Sequence, residues 1–374
     1  MGRFKLFYFL LYVSFTTHHF LNLYFREIGL SGVEIGTIKA ASALVMIFSQ
    51  PIWGFLCDFL KLRKVLLNLL LFAAGLTFIL ISLQKVFFLI LVSAIVYGFF
   101  KSPIIPVADS IVMIEVKGDS SKYSQIRLWG GVGLTASVIL MGYYFNHSEL
   151  QNLFFVYLIF TYLALILTLF LPSGKECSLT NKLMLKDFAQ LIKYPGLMKI
   201  MLAILLLQIG AFIIDGFFGL YIKEQIGSEV TLGWALTLAG ISEIIAYRYL
   251  GRLKSVFSAR NLLIISATAS AIRWYLYARS TLVIQILLLQ LLHGITFGFF
   301  YISSVTYVNQ LLPLKFATSG QTLLWAVAYG LASVLGSIIG GILYDHWNYQ
   351  VLFAVASLLA VFSIFFFLKI KSKK

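Results

Sequence analysis

Charge is scarce in this sequence, and acidic charge scarcest. Only 11% of the 374 residues are charged, and Asp and Glu together number 14 against 29 Lys and Arg. A soluble domain carries about 25% charged residues. Beside 60% hydrophobic content and a mean hydropathy of +0.94, that shortage excludes an ordinary water-borne globule. Cysteine is nearly absent too. Cys57 and Cys177 both fall on the predicted cytoplasmic side, where no disulfide is expected, and no metal-ligand spacing occurs. There is no GxxxxGK[ST] phosphate loop, so any work done must draw on a gradient rather than a nucleotide. No GxSxG or HExxH constellation stands in a suitable context, so no enzyme, catalytic residue or cofactor is expected.

What the chain has is long apolar runs. With lipid as solvent, every backbone polar group must be satisfied within the element, which leaves helices of about 20 residues. Twelve such segments can be marked, at roughly 4–26, 34–60, 64–83, 86–114, 124–145, 150–171, 197–222, 229–251, 260–278, 281–310, 316–343 and 349–369. The fold class read from this is an all-α membrane protein of twelve transmembrane helices in two six-helix, pseudo-symmetric halves. The N-terminus, with Arg3 and Lys5 before an apolar run, mimics a signal peptide. No small-residue cleavage site follows, so the run is read as a retained first span. The longest polar stretch divides the chain into residues 1–171, a cytoplasmic linker 172–196, and residues 197–374. The linker carries Lys175, Lys182, Lys186 and Lys193, and its middle, Leu183 to Ile192, reads equally as an amphipathic surface helix or a plain connector.

The formal charge of +15 raises the question of nucleic acid, and its placement answers it. Of the 29 basic residues, Arg26, Lys85, Lys223 and Arg279 fall in one set of loops. Lys39, Lys101, Arg127, Arg248 and Arg273 fall within spans, Lys39 and Lys101 nearer span ends. The remaining 20 fall on the other side. That asymmetry puts both termini in the cytoplasm; a multi-pass protein of the inner membrane, monomeric, is the expectation.

The chain also repeats itself at an offset of 197. Gly54 meets Gly251, Arg63 meets Arg260, Leu23-Tyr24 meets Leu220-Tyr221, Glu27 meets Glu224, Gly36 meets Gly233 and Gly133 meets Gly330. The turn after the second span, Gly54-x-x-x-Asp58-x-x-x-x-Arg63-Lys64, returns degenerate in the second copy, with Ser255 in place of the acid. Tandem membrane halves point to a transporter with its site at the repeat interface. Gly54, Asp58, Arg63, Gly251 and Arg260 are therefore candidate gating residues. Gly130, Gly131 and Gly133, with Gly330, Gly336, Gly340 and Gly341, are small residues suited to close helix contact.

Ionisable groups inside spans are expensive and mark function. Asp109 and Arg127, on consecutive antiparallel spans, are expected to pair, either as a static brace or with the arginine fork gripping a substrate carboxylate or hydroxyls. Asp215, Glu243, Arg273 and His293 lie on four successive spans of the second half and read as a proton relay, against the alternative of a fixed network. His18 occupies the position of Asp215 in the first repeat and is a candidate cavity residue, against a histidine bonded to backbone.

These residues resemble the major facilitator superfamily, and within it the group containing lactose permease and the 3-phenylpropionic acid transporters. The resemblance rests on the post-span-two turn motif, Tyr123-Ser-Gln-Ile-Arg127-Leu-Trp129-Gly130, Ser242-Glu243, Arg273-Trp274, Leu292-His293-Gly294-Ile-Thr296-Phe297, and Gly320-Gln321. It implies that Asp109, Arg127 and Trp129 meet substrate and that Glu243, Arg273 and His293 couple it to protons. Two departures matter. Thr296 stands where the resemblance leads one to expect a proton-carrying acid, and Leu134 where a galactose-stacking tryptophan is expected. The expectation is therefore proton-coupled symport of a small organic solute, a carboxylate rather than a galactoside, with Asp215 or Glu243 as proton carrier. A sugar or nucleoside symporter or an exporter on the same fold is the alternative, and a non-transporting receptor or scaffold a remote one.

Overall fold

In the computed structural model the apolar runs are helices, and residues 1–117, 119–172, 194–313 and 316–370 are described, without the side chains at 58, 120–121, 195, 250–256 and 317–318. The linker interior, including Leu183 to Ile192 and Cys177, lies outside the described residues, as do the side chains of Asp58 and Ser255 and the surroundings of Gly251. The helices are α1 (Gly2–Thr16), α2 (His18–Glu27), α3 (Gly32–Leu60), α4 (Arg63–Ser82), α5 (Phe87–Lys101), α6 (Ile104–Glu115), α7 (Ser120–His147) and α8 (Asn152–Leu169). After the linker come α9 (Pro195–Tyr221), α10 (Glu229–Val256), α11 (Ala259–Tyr277), α12 (Val283–Gln290), α13 (Phe300–Leu311), α14 (Ala317–Trp325), α15 (Ala332–His346) and α16 (Tyr349–Leu368). Wide π-helical turns at Ile222–Ile226, Gly294–Phe299 and Ala326–Leu331 join α9 to the following loop, α12 to α13, and α14 to α15.

Among the described residues, ten helical stretches are long and apolar enough to cross a membrane. The two other expected segments are helical but differ in kind. The first is broken at Thr17, where Ser14, Thr16 and Thr17 hydroxyls donate to carbonyls three or four residues back, at 2.7, 3.1 and 2.8 Å. Such back-bonds compete with the helical ladder and bend it. The second is α11, whose buried Ser266, Ser270 and Arg273 dilute its apolar character.

The chain divides into two compact units. Unit one comprises Met1–Leu30, Ala41–Thr180 and Ser228–Trp234; unit two comprises Ser31–Ala40, Asn181–Gly227 and Ala235–Lys374. Each unit thus takes in a short helix end from the other sequence half. In unit one, α1 packs on α7 and α8, and α4 on α5 and α8; in unit two, α9 packs on α15 and α16, and α11 on α16.

The sequence repeat is visible as repeated geometry. Tyr24 meets Phe154 edge-on with centroids 4.9 Å apart, and its counterpart Tyr221 meets Phe353 edge-on at 4.8 Å. Lys64 Nζ donates to the carbonyls of Leu169 and Leu171 past the end of α8, at 3.1 and 2.6 Å. Arg260 does the same for α16, donating to Phe367 and Leu368 at 3.0 and 2.6 Å. Each cation satisfies carbonyls that a helix end leaves orphaned. In unit two the start of α3 lies against α15, where Asp345 accepts the backbone N–H groups of Gly32 and Val33 at 2.6 and 2.7 Å. A Cβ on Gly36 would sit 3.4 Å from Gly341 Cα; in unit one, a Cβ on the repeat partner Gly233 would sit 3.4 Å from Gly142 Cα.

Candidate functional site

Unit one places a charged pair under aromatic cover. Arg127 Nε lies 3.6 Å from Asp109 Oδ1, and both side chains keep about a quarter of their surface open, 29% and 26%. The Tyr8 hydroxyl donates to the same Asp109 oxygen. The Arg127 guanidinium lies over two rings of α1, with 5.3 Å to the Tyr8 centroid and 4.6 Å to that of Tyr12. Positions 8 and 12 are one turn apart and share a face, which is why one guanidinium covers both. Close approach here requires a glycine. A Cβ at Gly130 would fall 2.9 Å from the Tyr12 ring and 3.1 Å from an Arg127 nitrogen. Trp129, two residues past Arg127 and about 200° around the helix, is 42% exposed and takes no part in this cluster.

His18 is held inside unit one. Its Nδ1 lies 3.0 Å from Phe15 O and its Nε2 2.6 Å from the Tyr97 hydroxyl. Its ring packs on Phe15, Phe78, Tyr97 and Tyr157 with centroids 5.4 to 5.9 Å away. Both nitrogens are thus occupied by protein atoms, the arrangement of a positioned histidine.

Unit two does not link the four relay candidates as one chain. Arg273, 7% exposed, donates through NH1 to His293 Nδ1 at 3.0 Å and to Thr296 Oγ1 at 3.1 Å, and through NH2 to Gln290 Oε1. It also covers the Tyr277 ring at 5.3 Å, and Gln290 Nε2 donates to the Tyr277 hydroxyl at 2.9 Å. A guanidinium only donates, so His293 Nδ1 accepts and the ring carries its proton on Nε2. Thr296, at the position of the missing acid, is one of the arginine's acceptors. His293 opens the π-helical turn Gly294–Phe299, which turns both residues toward Arg273. Among the described residues no carboxylate lies within ion-pair distance of Arg273. Glu243 instead faces Tyr247 one turn along α10. Asp215, 58% exposed, pairs with Lys39 Nζ at 2.9 Å within this unit.

Of the gating candidates, Arg260 is engaged on the carbonyls of α16, and Gly54 has open space around it. Gly130 and Gly133 abut α1 and Gly336 and Gly340 abut α9, while Gly131 faces nothing within 4 Å. Sequence reasoning passed over Tyr8, Tyr12, Gln290 and Tyr277. Tyr8 and Tyr12 had a usable signal, a helical i, i+4 pair on the first span. Gln290 is three residues before His293, one turn away on α12.

The MFS_1 like family model matches residues 1–355. A maltose permease of Geobacillus stearothermophilus is 26% identical over 366 residues, covering 96% of this chain and 92% of that protein. A probable 3-phenylpropionic acid transporter of Escherichia coli strain K12 is 23% identical, covering 70% of this chain and 69% of that protein. Among solved structures, a point mutant of the nucleoside transporter NupG superimposes with a TM-score of 0.89 at 18% identity, covering 98% of both chains. The inward open conformation of the xylose transporter XylE from E. coli gives 0.71 at 14% identity, covering 100% of this chain and 95% of that one. The all-helical architecture, the family model and these permease relatives lead to one identification: the chain belongs to the MFS_1 like family and is a multi-pass membrane transporter of the major facilitator type, with a small molecule as its cargo.

Proposed function

We propose that this protein is a twelve-span, proton-coupled symporter of a small organic carboxylate, working by alternating access with both termini in the cytoplasm of the inner membrane. The observation that carries the reading is the Asp109–Arg127 pair, partly open and walled by Tyr8 and Tyr12. A guanidinium held flat by two rings and oriented by one carboxylate can offer donors to cargo oxygen atoms, and the half-buried Tyr12 ring favours an aromatic or other apolar body. The relative described as a 3-phenylpropionic acid transporter supports that class. Relatives described as a maltose permease and a putative nucleoside transporter favour the second reading, a neutral sugar or nucleoside on the same scaffold.

Proton coupling is assigned to the acids of the second half. Asp215 can exchange a proton for Lys39, and Glu243 for its tyrosine partner. His293 cannot accept a second proton on Nδ1 while Arg273 donates to it, so its protonation and the Arg273 bond exclude each other. The test is uptake by proteoliposomes under an imposed pH gradient. Glu243→Gln and Asp215→Asn are expected to leave counterflow exchange while one of them abolishes gradient-driven accumulation. Undiminished accumulation in both variants would end the coupling assignment.

A further inference from the structure

Of the five cations that the sequence reading places inside spans, away from the loops, four have an evident settlement. Lys39 pairs with Asp215, and Arg127 with Asp109. Arg273 is ringed by His293, Thr296 and Gln290, and Arg248 is exposed near the end of α10. Lys101 stands apart. The sequence placed it nearer a span end, but it falls at the midpoint of the spanning stretch Phe87–Glu115, because α5 and α6 together form one long crossing. It is half-buried, and its Nζ lies 5.1 Å from the Phe15 ring centroid. Among the described residues no carboxylate lies within 4 Å of it and no hydrogen bond leaves its ammonium group. A lone ring face is weak compensation for a charge at mid-membrane, where an ionised side chain is expensive and ordinarily has a partner.

Its surroundings run in register. Going along α5 and α6, Tyr97 meets His18, Lys101 meets Phe15, and Asp109 meets Tyr8, each step forward matched by a step back from the start of α2 along α1. Lys101 and Asp109 are eight residues apart, about 12 Å of helix. Between them lie Phe15 and Tyr12, the latter beneath Arg127. Asp109 offsets Arg127, so the strip as a whole carries one uncompensated positive charge, located at Lys101. We infer that Lys101 binds the anionic group of the cargo, which is therefore a monoanion. Its carboxylate meets the Lys101 ammonium, its apolar body lies along the half-buried Tyr12 ring, and its far end reaches the Arg127 donors. A neutral, hydroxyl-rich solute would leave this ammonium unpaired. The inference rests on the transporter reading of the same site and moves the charge recognition from Arg127 to Lys101.

The test uses purified full-length protein and thermal unfolding with 3-phenylpropionate, phenylacetate and benzoate, each against its neutral amide. Acid-selective stabilisation is expected in the wild type. Lys101→Arg is expected to keep it, and Lys101→Met to weaken acid binding about tenfold to a hundredfold. Without any cargo, Lys101→Met is expected to melt higher than wild type, since it removes a charge that no carboxylate pairs with among the described residues; a lower melting temperature would make Lys101 structural and overturn the inference. So would the absence of any acid-selective shift in the wild type, or an unchanged shift in Lys101→Met. If Lys101→Met still accumulates maltose or uridine under a pH gradient, the transporter reading stands and the charge assignment falls. If acid-selective binding depends on Lys101 but no gradient drives uptake, the assignment stands and proton coupling falls.

Discussion

Arg127 and Arg273 show how differently the same side chain is used. Arg127 is partly open, balanced by one carboxylate and flattened on two rings. Arg273 is buried and bonded to neutral partners. Arg127→Lys keeps the charge but loses the planar fork and the stacking, so uptake is expected to fall about tenfold or more while circular dichroism and the melting temperature of the empty protein stay close to wild type. Gln290→Leu has the opposite signature. It strips an acceptor from Arg273 and a donor from Tyr277 in a site where Gln290 is 1% exposed. A stability loss of about 1–3 kcal/mol per orphaned group is expected, read as a lowered melting temperature without cargo. A melting temperature equal to wild type would mean that water or a rearranged partner replaces the amide.

At the scale of the helix, most of the fold was legible in the sequence, because apolar length alone dictates where a chain can cross lipid. The repeat was legible too: Tyr24 and Tyr221, matched by an offset, proved to make nearly the same edge-on contact. Partner choice was not. Asp109 with Tyr8, Lys39 with Asp215 and Arg273 with Gln290 depend on rotation about helix axes, which a hydropathy pattern in an all-round apolar helix does not encode. The offset also assigned Arg63 to the place of Arg260, whereas it is Lys64 whose bonds to the carbonyls of the last span mirror those of Arg260, a slip of one residue within a tight turn. Helix contact through glycine was anticipated from Gly36 and Gly233 only as a matched pair, and the structure gives each a backbone neighbour. Gly36→Val is expected to push α3 away from Ser337 and Gly341, and to lower stability by about 1–3 kcal/mol. Unfolding midpoints in denaturant would measure it, and an unaltered midpoint would mean that α3 moves aside at no cost.

For the whole molecule, the proposed alternating access raises the question of whether the contact between the start of α3 and α15, held by Asp345, breaks and re-forms. A side chain at either Gly36 or Gly341 would collide with backbone of the facing helix, so the contact is best probed at Asp345. Asp345→Ala removes the acceptor of both N–H groups and is expected to change the uptake rate about threefold or more, as it biases the balance between conformations. An uptake rate equal to wild type would show that this contact does not open during the cycle.

The three π-helical turns, Ile222–Ile226, Gly294–Phe299 and Ala326–Leu331, all lie in the second repeat, and the described part of the first repeat has none. A wide turn is an extra residue stored within a helix. If the bulge slips by one position, each side chain it passes is swung by about 100°, with no rigid movement of the helix as a whole. Among the described residues the bulges are therefore distributed lopsidedly: the first copy has none, and the second has camshafts, with His293 and Thr296 mounted on one of them.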